Sequence, residues 1–277
     1  MINLEHNSEI LPENYRMLQE SVFAEVGIVL QDDKSYLFQS RLAPVVQQLN
    51  LRSINELCSV MHRPSNVEIR RMVAEAMTTN ETYFFRDPLQ YEAIKKELLP
   101  KLAEERRDRK KMSFWSAASS TGQEAYSLAM LLLEEGYRSW NLQIVGTDAS
   151  SKVVERAGSG LYHQIEVNRG LPANLLVKHF KRSGVNWQLS DTVRGMVQFE
   201  TGDLRKSMKT RGPFDLVFCR NVLIYFDKET KMQILREIRG TLFRGGWLLL
   251  GGSETAINIE EWFERRNVGN TTYYVAK

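Results

Sequence analysis

Cysteine is scarce: the chain of 277 residues holds two, Cys58 and Cys219. They stand too far apart for a metal-type cluster, and two are too few for a disulfide scaffold. A reduced, cytoplasmic setting is expected. Long apolar runs are also missing. None approaches the ~18 residues that cross a bilayer, so direct membrane insertion is not expected. The opening MINLEHNSEI lacks the basic and apolar regions of a signal peptide. Excess charge is absent too, since 37 Lys and Arg against 34 Asp and Glu leave +3. A nucleic-acid partner, which asks for a strong basic field, is not expected. There are no repeats and no low-complexity tracts.

Helical spacing fills residues 12 to 77. LPENYRMLQESVFAEVG carries Leu18, Val22, Phe23 and Val26 toward one side and stops at Gly27. DDKSYLFQSRLAPVVQQLN reads as a second helix, capped by Asp32 or Asp33 and kinked or divided at Pro44. SINELCSVM and SNVEIRRMVAEAM each offer a serine N-cap. A small all-helical domain over 1–78 is expected, followed by a junction and linker helix over 79–111. The charged run KLAEERRDRKK reads as a solvated helix end.

From residue 112 the pattern changes. MSFWSA, LQIVGTD, VQFETGD, FDLVFCR and GGWLLLGG are apolar segments mostly separated by helical runs. Segments buried on both faces and alternating with helices predict an α/β fold with a parallel sheet over 112–277. FERRNVGNTTYYVAK predicts a closing hairpin turning at Gly269 and Asn270. Residues 165–198 fit neither rhythm. They read as a small β insertion with one short helix and two strands, around Trp187 and Val193.

In such a sheet ligands bind beyond the carboxyl ends of the strands. Those ends hold Ala117 to Glu124, then Asp148, Asp203, Arg220, Asn221 and Tyr225, and lastly Gly252 and Glu254. The loop WSAASSTGQEAYSLA has one glycine, Gly122, where a pyrophosphate loop uses three, and it lacks the P-loop lysine. Asp148 is spaced to accept from ribose hydroxyls, or else to cap the next helix. Glu124 suits a cationic ligand and equally suits a helix first turn. A ribose, a positive charge and no phosphate describe S-adenosylmethionine. Arg86 follows Phe84 and Phe85, and its planar fork fits a carboxylate; a salt bridge with Asp87 or Glu81 is the other reading.

Taken in order, NETYFFRD, SAASSTGQEAYSLA, GTDAS and FCRNVLIYFD resemble the chemotaxis receptor methyltransferase family, over nearly the whole chain. The resemblance implies a Rossmann-like S-adenosylmethionine-dependent domain behind a helical receptor-docking domain. It implies methylation of glutamate side chains on the cytoplasmic methylation helices of chemoreceptors, leaving S-adenosylhomocysteine, with no metal and with recruitment to receptor arrays. Cofactor contacts carried over are Asn80, Thr82, Arg86, Glu124, Asp148, Asp203, Leu204, Asn221 and Val222. Arg86 and Tyr225 would flank the reacting methyl. Two departures stand out. Asp203 occupies a place often held by asparagine, and Gln123 replaces an acid common in the loop.

A glutamate nucleophile is already ionised near neutral pH, so no general base is needed. In keeping with that, His6, His62, His163 and His179 fall outside the strand ends. The helical domain, up to Asn80, carries seven Lys and Arg against ten Asp and Glu. Even so, Lys34 and Arg41 share a helix face, and with Arg52 they are candidates for receptor docking. A solvated face is the plainer reading. In some family members the insertion binds a receptor's C-terminal pentapeptide through a longer, glycine-containing loop. HFKRSGVNWQLSD has one glycine and is short, so independence from such a tail is expected. Rival readings are a non-catalytic cofactor- or receptor-binding module, a nucleic-acid methyltransferase and a dehydrogenase. The second lacks a proline pair in CRNVLIYF, and the third lacks the glycines.

Overall fold

The structure is a computed structural model and describes residues 9–208, 211–256 and 258–277. The opening stretch 1–8, with His6, lies outside them. The chain divides into two compact units. One takes the residues up to Thr79 together with Tyr225–Thr230; the other takes Asn80–Ile224 and Lys231–Lys277.

In the helical unit, α1 (Pro12–Val26) starts on a proline and ends at Gly27, whose φ of 77° is the left-handed stop glycine allows. Leu18 and Val22 are buried, but Phe23, expected beside them, is left exposed. A 3₁₀ turn over Asp32–Lys34 precedes α2 (Ser35–Gln48), and neither aspartate caps it. Asp32 instead accepts from Gln19, and Asp33 pairs with Lys34. Pro44 does not divide α2. The helix runs through it, and burial of Phe38, Leu42, Val45 and Val46 offsets the one missing N–H bond. The α3 helix (Ile54–Met61) has the expected cap, with Ser53 Oγ accepting from Glu56 N at 3.2 Å. The α4 helix (Val67–Met77) begins after Asn66, one residue beyond the expected Ser65. Leu18, Val22, Phe38, Leu42, Leu57 and Val73 form the core of the unit.

The expected linker is part of the α/β unit. α5 (Pro88–Ala93) passes through a π-helical stretch, Ile94–Leu98, into α6 (Leu99–Glu105). Phe84, Tyr91, Ile94 and Leu98 are buried in the core of that unit. The charged run after α6 is not wholly solvated, because Arg106 pairs with buried Asp215 at 2.8 Å. Next come β1 (Lys111–Ala117), α7 (Gln123–Glu134), β2 (Asn141–Asp148) and α8 (Ser151–Ser159). The insertion contains β3 (Leu161–His163), α9 (Gln164–Val167), α10 (Ala173–His179), β4 (Phe180–Ser183), β5 (Asn186–Leu189) and α11 (Asp191–Arg194). Thus it begins earlier than residue 165, and Val193 lies in a helix rather than a strand. Its sheet has the order β3-β5-β4, all antiparallel.

The chain continues with β6 (Val197–Thr201), β7 (Phe214–Cys219), α12 (Lys228–Thr241), β8 (Leu242–Leu250), β9 (Phe263–Val268) and β10 (Thr271–Ala276). These five strands and the earlier β1 and β2 form one sheet of seven, ordered β6-β2-β1-β7-β8-β10-β9. The first five are parallel, and the closing hairpin joins antiparallel at β8. β7 is buried along its whole length, and β1 beyond Lys111. The central strands therefore carry their polar chemistry at their ends.

Candidate functional site

Backbone strain gathers where the parallel strands end. Ala118 (φ 58°), Ser120 (φ 50°) and Asn221 (φ 57°) are left-handed without being glycine, and so are Phe85 (φ 51°) and Asp87 (φ 58°) in the segment before α5. Such residues persist only where their surroundings hold them, and they cluster at functional sites. Gly122 (φ 93°) opens α7, and a Cβ there would meet Phe199 at 2.9 Å and Ala157 at 3.0 Å. The single glycine of the loop thus serves a turn and a close approach.

Asp148 ties two of these loops together. Its carboxylate accepts from Ser120 N at 2.9 Å and Ser150 N at 3.0 Å. Ser150, not Asp148, is the N-cap residue of α8. Ser120 Oγ donates to Asn80 O at 2.8 Å, which brings the first expected contact residue to the same loop.

Glu124 and Arg220 make the centre of the site. Glu124 Oε1 accepts from Ser116 Oγ at 2.6 Å, and Oε2 accepts from Arg220 Nη1 at 3.0 Å. Arg220 Nη2 donates at 2.6 Å to both Asp87 Oδ2 and Arg86 O. Burial raises the Glu124 carboxyl above its ordinary value, against the opposing pull of Arg220, Ser116 and Arg86. Burial works against the Arg220 charge as well, yet Glu124, Tyr91 and Asp87 outweigh it and keep the guanidinium protonated. A free carboxylate in a helix first turn does not describe Glu124. It is a buried, partnered anion.

Arg86 forms neither of the ion pairs considered for it. Asp87 is taken by Arg220 and Glu81 by Arg169. Arg86 donates to Glu81 O and lies over the Tyr83 ring, 5.5 Å from its centroid. Thr82 is half-buried in the same segment. Asp203 carries its own counter-charge: Arg205 Nε donates to Oδ1 at 3.0 Å and Nη2 to Oδ2 at 2.8 Å. Leu204 beside it is buried. Asn221 N and Val222 N both donate to Glu254.

Tyr225 belongs to the helical unit by its packing. Its ring lies against the core of that unit, and its carbonyl accepts from Val29 N at 2.9 Å. The three docking candidates differ. Arg41 is spent on the end of α4, donating to Met77 O, Thr78 O and Thr79 Oγ1 at 2.6–3.2 Å. Lys34 pairs with Asp33, and Arg52 is exposed.

Sequence reasoning placed Arg220 and Glu254 at strand ends but gave neither a role. A signal was present for Arg220, since a charge directly following the six buried residues of FDLVFC must find partners. Glu124 at the start of α7 and Asp148 at the end of β2 are carboxylates already bonded within the protein. Three buried polar atoms at the ends of β1 and β7, Ser119 Oγ, Arg220 Nε and Asn221 Oδ1, have no protein partner among the described residues.

Comparison with known proteins bears on the whole chain. Residues 80–272 match the family model described as CheR methyltransferase, SAM binding domain. Residues 13–78 match the model described as CheR methyltransferase, all-alpha domain. A "Chemotaxis protein methyltransferase" of Vibrio parahaemolyticus is 38% identical over 260 residues, covering 92% of this chain and 94% of that protein. The "Chemotaxis protein methyltransferase 1" of Pseudomonas aeruginosa is 38% identical over 257 residues, covering 91% and 93%. A "Chemotaxis protein methyltransferase" of Salmonella typhimurium is 32% identical over 270 residues, covering 95% and 90%.

Proposed function

The chain belongs to the CheR methyltransferase family, an S-adenosylmethionine-dependent methyltransferase, and we propose that it methylates glutamate side chains of chemoreceptors. The observation that carries this reading is the largely buried Glu124 carboxylate, held by Ser116 and Arg220 in the first turn of α7, behind a loop without a phosphate grip. That anion suits the α-ammonium of S-adenosylmethionine. Asp148 suits the ribose hydroxyls, and Asp203 with Leu204 suits the adenine. Asn80, Thr82, Asn221 and Val222 complete the cofactor set. Because Arg205 offsets the Asp203 charge, an acid serves where asparagine is usual without adding a bare anion.

When bound, S-adenosylmethionine supplies a sulfonium methyl that a carboxylate takes by in-line displacement, leaving S-adenosylhomocysteine and a methyl ester. The protein's part is positioning and exclusion of water, worth about 7–11 kcal/mol where alignment is good. Arg86 would orient the incoming carboxylate, and Tyr225, carried over by its motif, is the second residue assigned to the transfer step. No metal and no general base are required, since the nucleophile is already ionised.

The receptor's cytoplasmic methylation helices are the proposed partner, reached from the cytoplasm at receptor arrays. In support, no described helix is long and apolar enough to cross a membrane. Arg52 is the docking candidate with an uncommitted side chain, while Arg41 and Lys34 have internal partners. A receptor tail peptide is not needed. β4 and β5 are joined by Gly184 and Val185 alone, without the longer loop that goes with tail binding in the resembling family. Micromolar calorimetric binding of a Trp-x-x-x-Phe peptide, lost when residues 182–190 are replaced, would overturn that last point.

The reaction is tested with tritiated S-adenosylmethionine and receptor-containing membranes from the source cell. Base-labile label on a receptor-sized band is expected. Absence of transfer, or label stable to base, would reject the glutamate assignment.

A further inference from the structure

We propose that Glu254 is the positioning residue of the turn that follows β7. Between Cys219 and Ile224 the chain reverses through Asn221, a left-handed residue. A turn of this kind aims successive backbone N–H groups inward, where they need acceptors. One carboxylate meets them. Glu254 Oε2 accepts from Asn221 N at 2.6 Å and Gly251 N at 2.8 Å. Oε1 accepts from Val222 N at 2.9 Å and Ile224 N at 3.3 Å.

An ionised carboxylate only accepts, and its two oxygens offer about four sites. Four donors from two strand ends therefore match it in number and polarity. Gly251 makes the approach possible, because a Cβ there would fall 2.7 Å from Asn221 Nδ2 and 2.8 Å from Glu254 Oε2. The ends of β7 and β8, neighbours in the sheet, are thereby tied at the turn. The tie fixes where the Asn221 side chain, with its buried Oδ1, points and where the Val222 backbone lies. Glu254 itself acts through the backbone. The inference rests on assigning Asn221 and Val222 to the cofactor.

The test uses full-length E254Q, E254D and N221A. Measurements are S-adenosylhomocysteine affinity by calorimetry, kcat with receptor substrate and thermal unfolding, all at a temperature where circular dichroism shows the variant folded. Glutamine sets an amide against backbone N–H groups whichever way it turns. E254Q is therefore expected to weaken affinity about tenfold or more and to lower kcat. Aspartate keeps the acceptor but is one methylene short, so E254D should recover part of that loss. A merely structural glutamate would lower the unfolding temperature and leave affinity and kcat per folded molecule unchanged. Wild-type affinity and kcat in folded E254Q, with N221A impaired, would overturn the positioning role. Unchanged affinity in N221A would instead overturn the assignment of the turn to the cofactor, and the inference with it. Should E254Q not fold, E254D with wild-type affinity and kcat would overturn the role.

Discussion

Arg220 Nη1 lies 3.0 Å from Glu124 Oε2, joining a buried residue to a largely buried one 96 positions away in the chain. The same guanidinium holds Asp87 Oδ2 and Arg86 O. Its side chain is 1% exposed and that of Glu124 12%. Each charge is tolerable inside the protein because the other is there.

Removing one partner should therefore cost more than the pair contributes. Arg220→Met is expected to destabilise the α/β unit by about 3–5 kcal/mol, chiefly through the stranded Glu124 carboxylate. Urea unfolding measures it. The double variant with Glu124→Gln should recover part of the loss, as coupled neighbours do. A double-variant loss equal to the sum of the Arg220→Met and Glu124→Gln losses would show that the two charges are independent.

Glu124 also gives cofactor affinity a pH dependence. Burial raises its carboxyl above the ordinary glutamate value. The ionised form attracts the cofactor's ammonium, and the protonated form does not. Affinity should be full at the alkaline side of the raised value and fall as pH drops through it, earlier than an ordinary carboxylate would allow. Calorimetry from neutral to mildly acid pH reads this. Glu124→Gln should bind weakly with a flat profile, and an equally sloped profile would place the titration elsewhere.

Tyr225 separates chemistry from packing. Its ring packs on the helical core, and its carbonyl holds Val29 N. Phenylalanine keeps both, so Tyr225→Phe should leave the unfolding temperature and cofactor affinity within error while kcat falls. Full kcat with receptor substrate would leave the tyrosine as a packing residue.

Arg41 and Arg52 should behave differently although the sequence makes both docking candidates. Arg41→Ala removes hydrogen bonds to Met77 O, Thr78 O and Thr79 Oγ1 and should lower the stability of the helical unit by about 1–2 kcal/mol. Arg52→Glu should leave stability alone and raise KM for receptor at low salt, where surface attraction is strongest. Unchanged KM for Arg52→Glu would discard the docking role.

Much of the α/β architecture was legible because it is local. Six buried residues in succession, as in FDLVFC, read as a central strand wherever they occur, and Gly269 with Asn270 marks its own hairpin. The strand-end acids followed, since a parallel sheet presents ligands at one edge. Local signals misled where packing overrode them. Pro44 should break a helix, yet four buried neighbours keep α2 whole. A strand of three residues, β3, is too short to show a period, so the start of the insertion is not legible in the sequence.

Taken alone, the sequence determined which segments are apolar, where the chain must turn and which charges wait at strand ends. Tertiary structure decided what those charges do. Arg220 finds Glu124 and Asp87 from 96 and 133 positions away, Glu254 closes a turn 33 residues behind it, and Arg41 caps a helix instead of facing outward. Hydrophobic periodicity is written along the chain, and one residue's neighbours suffice to read it. A buried ion pair exists only once folding has removed water and brought distant residues together, and no local pattern records which partner each charge will meet.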